Sequence, residues 1–313
     1  MQTAISNKQD DIRWIATFAC IIYLIIIYLI SGLKPENWAI ASGYSLLIWI
    51  TPGTRRFALA FAIFIIFGVS YDLMKNWPNY LFNEVDISGI YHLEKSIFGF
   101  SVGNITLTLN EYFALNYNIY LDFVCGLIYL NWVPIPLAYA AYLYFKKRGK
   151  FIDYGLAFLF VNFIGFAVYY IHPAAPPWYV ENYGFDLQTG IGGSAAGLAR
   201  FDELIGLPVF TNIYTRNTNV FAALPSLHCA YPVVMLYFGL KISTGRFRPA
   251  IISLMALFMV GIWFSAVYSG HHYIVDVILG VICAIAGLLF YEKLLLKTGW
   301  FLRFRTNYNG LIK

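Results

Sequence analysis

Eight apolar stretches recur along this chain, at residues 15–33, 38–50, 57–74, 120–145, 154–171, 221–241, 250–268 and 273–294. A bilayer crossing by an α-helix takes about 20 such residues; most of the eight approach that length, and the second is short. Hydrocarbon offers the backbone no hydrogen-bond partner, so runs of this kind must satisfy themselves as helices. The remaining composition agrees. Of the 313 residues, 60% are hydrophobic and 12% charged, about half the charge of an ordinary soluble domain. The expected architecture is an all-α integral membrane protein of about eight transmembrane helices with interfacial helices between them. Pro134 and Pro136 should kink the fourth span. The N-terminus is polar and no small-residue cleavage site follows the first apolar run, which therefore reads as a retained span.

The stretches divide the chain into N-terminal transmembrane helices (1–74), an interfacial segment (75–119), a transmembrane core (120–294) and a cytoplasmic tail (295–313). Cys20, Cys125, Cys229 and Cys283 lie in or beside apolar runs without CxxC spacing, so they read as small core residues. A loop rich in Gly and Pro, 172–220, separates the fifth and sixth spans. Lys and Arg set the orientation. Sixteen of the 21 basic residues fall on one side and five (Lys34, Lys75, Lys95, Arg200, Arg216) on the other, which places both termini in the cytoplasm.

Two short stretches break the apolar pattern: ALPSLHCAYP (223–232) and GHHYIVDV (270–277). They put His228, His272 and Asp276 at span ends on the non-cytoplasmic side. A titratable group at membrane depth costs roughly 2.5–3.5 kcal/mol on insertion scales, which makes it a functional hypothesis by default. His272 and Asp276 stand at i and i+4, on one helix face. A carboxylate there can orient the imidazole and leave its Nε2 free to attack or to carry a proton. A structural hydrogen-bond cluster is the competing reading.

PSLH followed some 40 residues later by HHYIVD resembles the second and third signature motifs of the type 2 phosphatidic acid phosphatase superfamily. PAAPPWY (173–179), GSAAGLARFDELIG (193–206), FAALPSLH (221–228) and HHYIVDVILG (271–280) are similar, within it, to the inositol phosphorylceramide synthase branch of aureobasidin-sensitive type. YHLEKSIFG (91–99) looks like a further block of that branch. The superfamily's first motif, a Lys followed seven residues later by Arg-Pro, is absent before PSLH. Ser265 and Ala266 stand where the third motif usually opens with Ser-Arg. With these two cations missing, a singly charged phosphodiester suits the site better than a dianionic monoester. Arg216 is the first candidate to replace them, and Arg200 the second.

The resemblance implies His272 as nucleophile, His228 as acid and base, and transfer of phosphoinositol from phosphatidylinositol to ceramide with release of diacylglycerol. Ser226 would bind a phosphate oxygen or else cap a helix beginning near Leu227. His271 would touch the headgroup, and Trp178 would help exclude water from the phosphoenzyme. No metal or cofactor is required, and no nucleic-acid partner is expected; the partners are lipids. A lipid phosphatase acting on phosphatidate or an isoprenoid diphosphate, and transfer of a different phospho-headgroup, are the alternatives. A transporter would more often show repeated halves, which are not evident. In a bacterium the protein would sit in the inner membrane with its site facing the periplasm; in a eukaryote, in the Golgi with the site facing the lumen.

Overall fold

A computed structural model of the chain describes residues 2–216 and 219–313. Among these, helices account for nearly all regular structure, and they group into two compact units: residues 1–69 with 300–313, and residues 70–299.

The first unit contains α1 (Gln2–Ser31), α2 (Pro35–Ile50), most of α3 (Pro52–Leu73) and α15 (Gly299–Ile312). The α1–α2 pair is pinned by an edge-on contact of Trp14 with Trp49, whose ring centroids are 5.2 Å apart. Asn37 adds a 3.0 Å bond from its Nδ2 to the Tyr23 hydroxyl. Residues 299–312, which read from sequence as part of a tail, form a helix whose Tyr308 donates to the Leu59 carbonyl at 2.6 Å.

The second unit carries α4 (Ser88–Phe98), a hairpin of β1 (Phe100–Val102) and β2 (Ile105–Leu107), α5 (Leu109–Leu115), α6 (Ile119–Tyr129), α7 (Pro134–Lys146) and α8 (Arg148–Ile171). After these come α9 (Pro177–Tyr183), α10 (Ala199–Ile205), α11 (Val209–Tyr214), α12 (Leu227–Ile242), α13 (Arg248–Tyr268) and α14 (Ile274–Leu289). At its centre, α12 packs on α7, α8, α13 and α14. Polar side chains tie the buried faces together: Tyr231 of α12 donates to Asn162 of α8 at 2.6 Å, and the Tyr291 hydroxyl to Asp153 at 2.8 Å. Each such pair satisfies groups that would otherwise be costly in an apolar interior.

Several expectations need adjustment. Among the described residues, six helical stretches are long and apolar enough to cross a bilayer: Asp11–Ser31, Pro52–Asn76, Ile119–Lys146, Arg148–Ile171, Arg248–Tyr268 and Ile274–Lys297. The sixth predicted span does not begin at residue 221. Residues 221–226 are non-helical, and α12 starts at Leu227, where Ser226 caps it. The predicted kink is a turn at residues 130–133 within the Ile119–Lys146 stretch: α6 ends at Tyr129, and α7 restarts with Pro134 in its first turn, the position where a missing N–H is harmless. The 75–119 segment holds the unforeseen β1–β2 hairpin besides its short helices. Within 172–220, the described residues form three short helices, α9, α10 and α11, joined by irregular stretches.

Candidate active site

The two polar sequence stretches meet where α12 and α14 begin. The Ser226 N–H donates to the Asp276 carbonyl at 3.0 Å, joining the start of one helix to the first turn of the other. One turn further along α14 comes Gly280; a Cβ there would overlap the Ser226 carbonyl oxygen. Glycine is what lets the two backbones approach. The turn from α13 into α14 passes through Gly270 at φ 72°, a left-handed conformation that glycine adopts freely. Past it, the His271 and His272 N–H groups both reach the Ala266 carbonyl at 3.1 Å.

This framework brings the three predicted catalytic residues together. His228 Nδ1 lies 3.0 Å from His272 Nε2. His272 Nδ1 lies 3.4 Å from Asp276 Oδ2, within ion-pair range, although its alignment falls short of a hydrogen bond. Asp276 Oδ2 accepts the Tyr273 N–H at 2.9 Å, so the carboxylate caps its own helix while facing the imidazole. The His228 ring sits edge-on to Trp132 at 4.2 Å and near Tyr129 at 5.4 Å. Among the described residues, no group of three or more His, Cys, Asp and Glu side chains is arranged to hold a metal ion.

Two supports were not anticipated. Glu94 on α4 is fully buried, and its two carboxylate oxygens accept the Ile274 and Val275 N–H groups at 3.1 and 3.0 Å. It is an N-terminal cap for α14 supplied from 180 residues away. Burial raises its carboxyl above the usual range, against the pull of those two donors. Asn110 on α5 donates from Nδ2 to the Val267 carbonyl at 2.8 Å and to the His272 carbonyl at 2.9 Å. YHLEKSIFG contains Glu94 but says nothing of its partner; no sequence signal marks Asn110.

The remaining predicted residues divide. His271 is buried, stacks on Tyr214 at 4.3 Å and bonds the Ala195 carbonyl through Nε2 at 3.0 Å. A carbonyl only accepts, so Nε2 carries the proton. Burial, then the neighbouring His272, pushes its pKa down to about 3. Trp178 is buried and lines one pocket with His228, His271 and His272, and its backbone N–H donates to the Gly270 carbonyl at 3.1 Å. Ser226 Oγ accepts the Cys229 N–H at 3.4 Å, the capping role. Arg216 is exposed; the histidine pocket is lined by Tyr214 and Asn219, and Arg216 is not part of that lining. Arg200 is engaged elsewhere: its Nε donates to Asp122 Oδ1 at 2.7 Å, and its guanidinium lies over the Tyr117 ring at 4.7 Å.

Comparison with known proteins gives the family. The chain is 46% identical to the phosphoinositol dihydroceramide synthase of Bacteroides thetaiotaomicron over 308 residues, 98% of this chain and 99% of that protein. It is 28% identical over 194 residues to the inositol phosphorylceramide synthase of Candida albicans, covering 62% of this chain and 39% of the fungal one. It is 31% identical over 186 residues to the inositol phosphorylceramide synthase catalytic subunit of Schizosaccharomyces pombe, covering 56% and 43%. No solved structure matches significantly. The family model described as the PAP2 superfamily matches residues 90–290, spanning both histidine motifs, and the chain belongs to that superfamily.

Proposed function

We propose that this protein is a sphingolipid synthase that moves phosphoinositol from phosphatidylinositol to a ceramide-type acceptor, with His272 as the covalent nucleophile. The reading rests on the 3.0 Å approach of His228 to His272, with Asp276 behind the latter. The relatives' activities support the choice of lipids.

In the first half-reaction the phosphodiester replaces the direct His228–His272 contact and lies between the two imidazoles. His272 Nε2 forms the N–P bond, and the P–O bond to diacylglycerol breaks. His228, protonated as the anionic substrate binds, gives its Nδ1 proton to the leaving alkoxide and becomes neutral. Asp276 balances the charge that develops on the phosphorylated ring. In the second half-reaction His228 Nδ1 takes the proton of the acceptor's primary hydroxyl, whose oxygen attacks phosphorus as the N–P bond breaks. Trp178 and the 172–220 segment over the pocket would keep water from the phosphoenzyme.

Eight crossings suit this reading, with α2 and α12 joining the six longer spans. At 16 residues each, these two are about 24 Å long. An α12 this short would leave its active-site end below the membrane surface. The charge bias favours that end lying outside the cytoplasm, which in a bacterial inner membrane would face the periplasm.

The test uses purified protein in detergent with headgroup-labelled phosphatidylinositol, with and without ceramide. Label appearing in a new lipid only with ceramide, and trapped on the protein without it, is the expected result. Free inositol phosphate released at the same rate in both conditions would make the enzyme a hydrolase.

A further inference from the structure

A polar recess of about 280 Å³ adjoins the histidine pocket, and Trp178 lines both. Asn110, Glu181, Asn182, Ser194 and Arg200 form its polar wall. Asn110 is 7% exposed, and both its Nδ2 bonds go to carbonyls, which fixes the oxygen end of the amide. Its buried Oδ1 has no hydrogen-bond partner among the described residues, and neither has Arg200 Nη2. Two residues of the wall therefore carry an unfilled acceptor and an unfilled donor just beneath its surface, where native interiors leave few. Two more groups have capacity to spare. Asn182 turns its Nδ2 back on the Trp178 carbonyl at 2.8 Å, leaving its Oδ1 as an acceptor. Ser194 Oγ accepts the Ala196 N–H at 3.0 Å and keeps its own hydrogen to donate.

The charge of the wall decides the ligand class. Asp122 already neutralises Arg200, the one cation among its described lining residues, and Glu181 adds a carboxylate. A phosphate would meet net repulsion there. A neutral polyhydroxylated ring would not, because every hydroxyl both donates and accepts. The volume suits such a ring, given the about 30 Å³ that one water occupies in the liquid.

We infer that this recess seats the inositol ring of the donor headgroup, with the phosphorus next door at His272. The inference rests on the phosphoinositol-transfer reading and assigns its ring selectivity to Asn110, Glu181, Asn182 and Arg200. Asn110 also holds the His272 carbonyl, so the same amide touches the ring and steadies the nucleophile's backbone.

The test compares phosphatidylinositol with phosphatidylmethanol, a phosphodiester donor without a ring, by diacylglycerol release from full-length protein in detergent. Glu181→Ala and Asn182→Leu, each checked for monodispersity, should lower the phosphatidylinositol-to-phosphatidylmethanol turnover ratio about tenfold, as expected for lost hydrogen bonds to the ring. Calorimetric titration with glycerophosphoinositol should show the same loss of binding, with glycerophosphoethanolamine binding weakly throughout. An equal fall on both donors, or an unchanged ratio and unchanged titration, overturns the inference. Should the wild type bind glycerophosphoinositol through these residues yet transfer nothing to ceramide, the recess assignment stands and the transferase reading falls.

Discussion

Helices α1 and α8 are both apolar and long enough to cross a bilayer, yet they live in different solvents. Only 11% of the apolar window of α1 is buried within the protein, against 72% for α8. In α1, large side chains such as Ile25 and Leu29 are exposed, to lipid on the membrane reading. In α8, Asp153 and Asn162 are buried and each bonds a tyrosine from another helix. Hydropathy finds both helices and cannot separate them. What separates them is where polar groups can be satisfied, and in this chain that is also where the chemistry collects.

The contrast makes graded predictions. His272→Ala should lower transfer at least about a thousandfold, as loss of a covalent nucleophile does, while circular dichroism stays helical. Glu94→Ala strips two amides of their only cap, at about 1–3 kcal/mol each when left unsatisfied. It should cut turnover by one to two orders of magnitude and lower the thermal midpoint, and Glu94→Gln should restore part of both. A pH series compared between wild type and a His271 variant probes His271. Its folded pKa of about 3 lies below the unfolded value of about 6.5. Between those values the unfolded chain binds a proton that the folded one refuses, so stability falls as pH drops through that window and is unaffected above it. His271→Gln should flatten the decline of the thermal midpoint from pH 6.5 down. Smallest of all, Leu29→Ala on α1 should leave turnover within about twofold and stability within about 0.5 kcal/mol. A loss there as large as that at Glu94 would erase the distinction between the two regions.

Legibility from sequence follows the same line. His228, His272 and Asp276 are readable because ionisable residues beside apolar runs have few harmless explanations, and the spacing of 272 and 276 sets their shared face. The start of α12 is misread at 221 because Phe221, Ala222 and Ala223 are as apolar as the helix they precede. Only the Pro225–Ser226 cap marks the boundary. Arg200 is chosen for its charge, but its pairing with Asp122 spans 78 residues and carries no local pattern. Glu94 hides for the same reason, since its value lies wholly in two distant amides.

The bond from Ser226 to Asp276, with Gly280 making room for it, bears on how the gene can be shuffled. A chimaera that takes residues 221–230 from one relative and 265–280 from another inherits two halves of one interlocked backbone joint. Any mismatch in helix depth then appears directly as separation of the two imidazoles. Productive recombination should exchange both segments as a block, leaving crossover points in the intervening stretch of α13, where Leu254 and Leu257 are exposed.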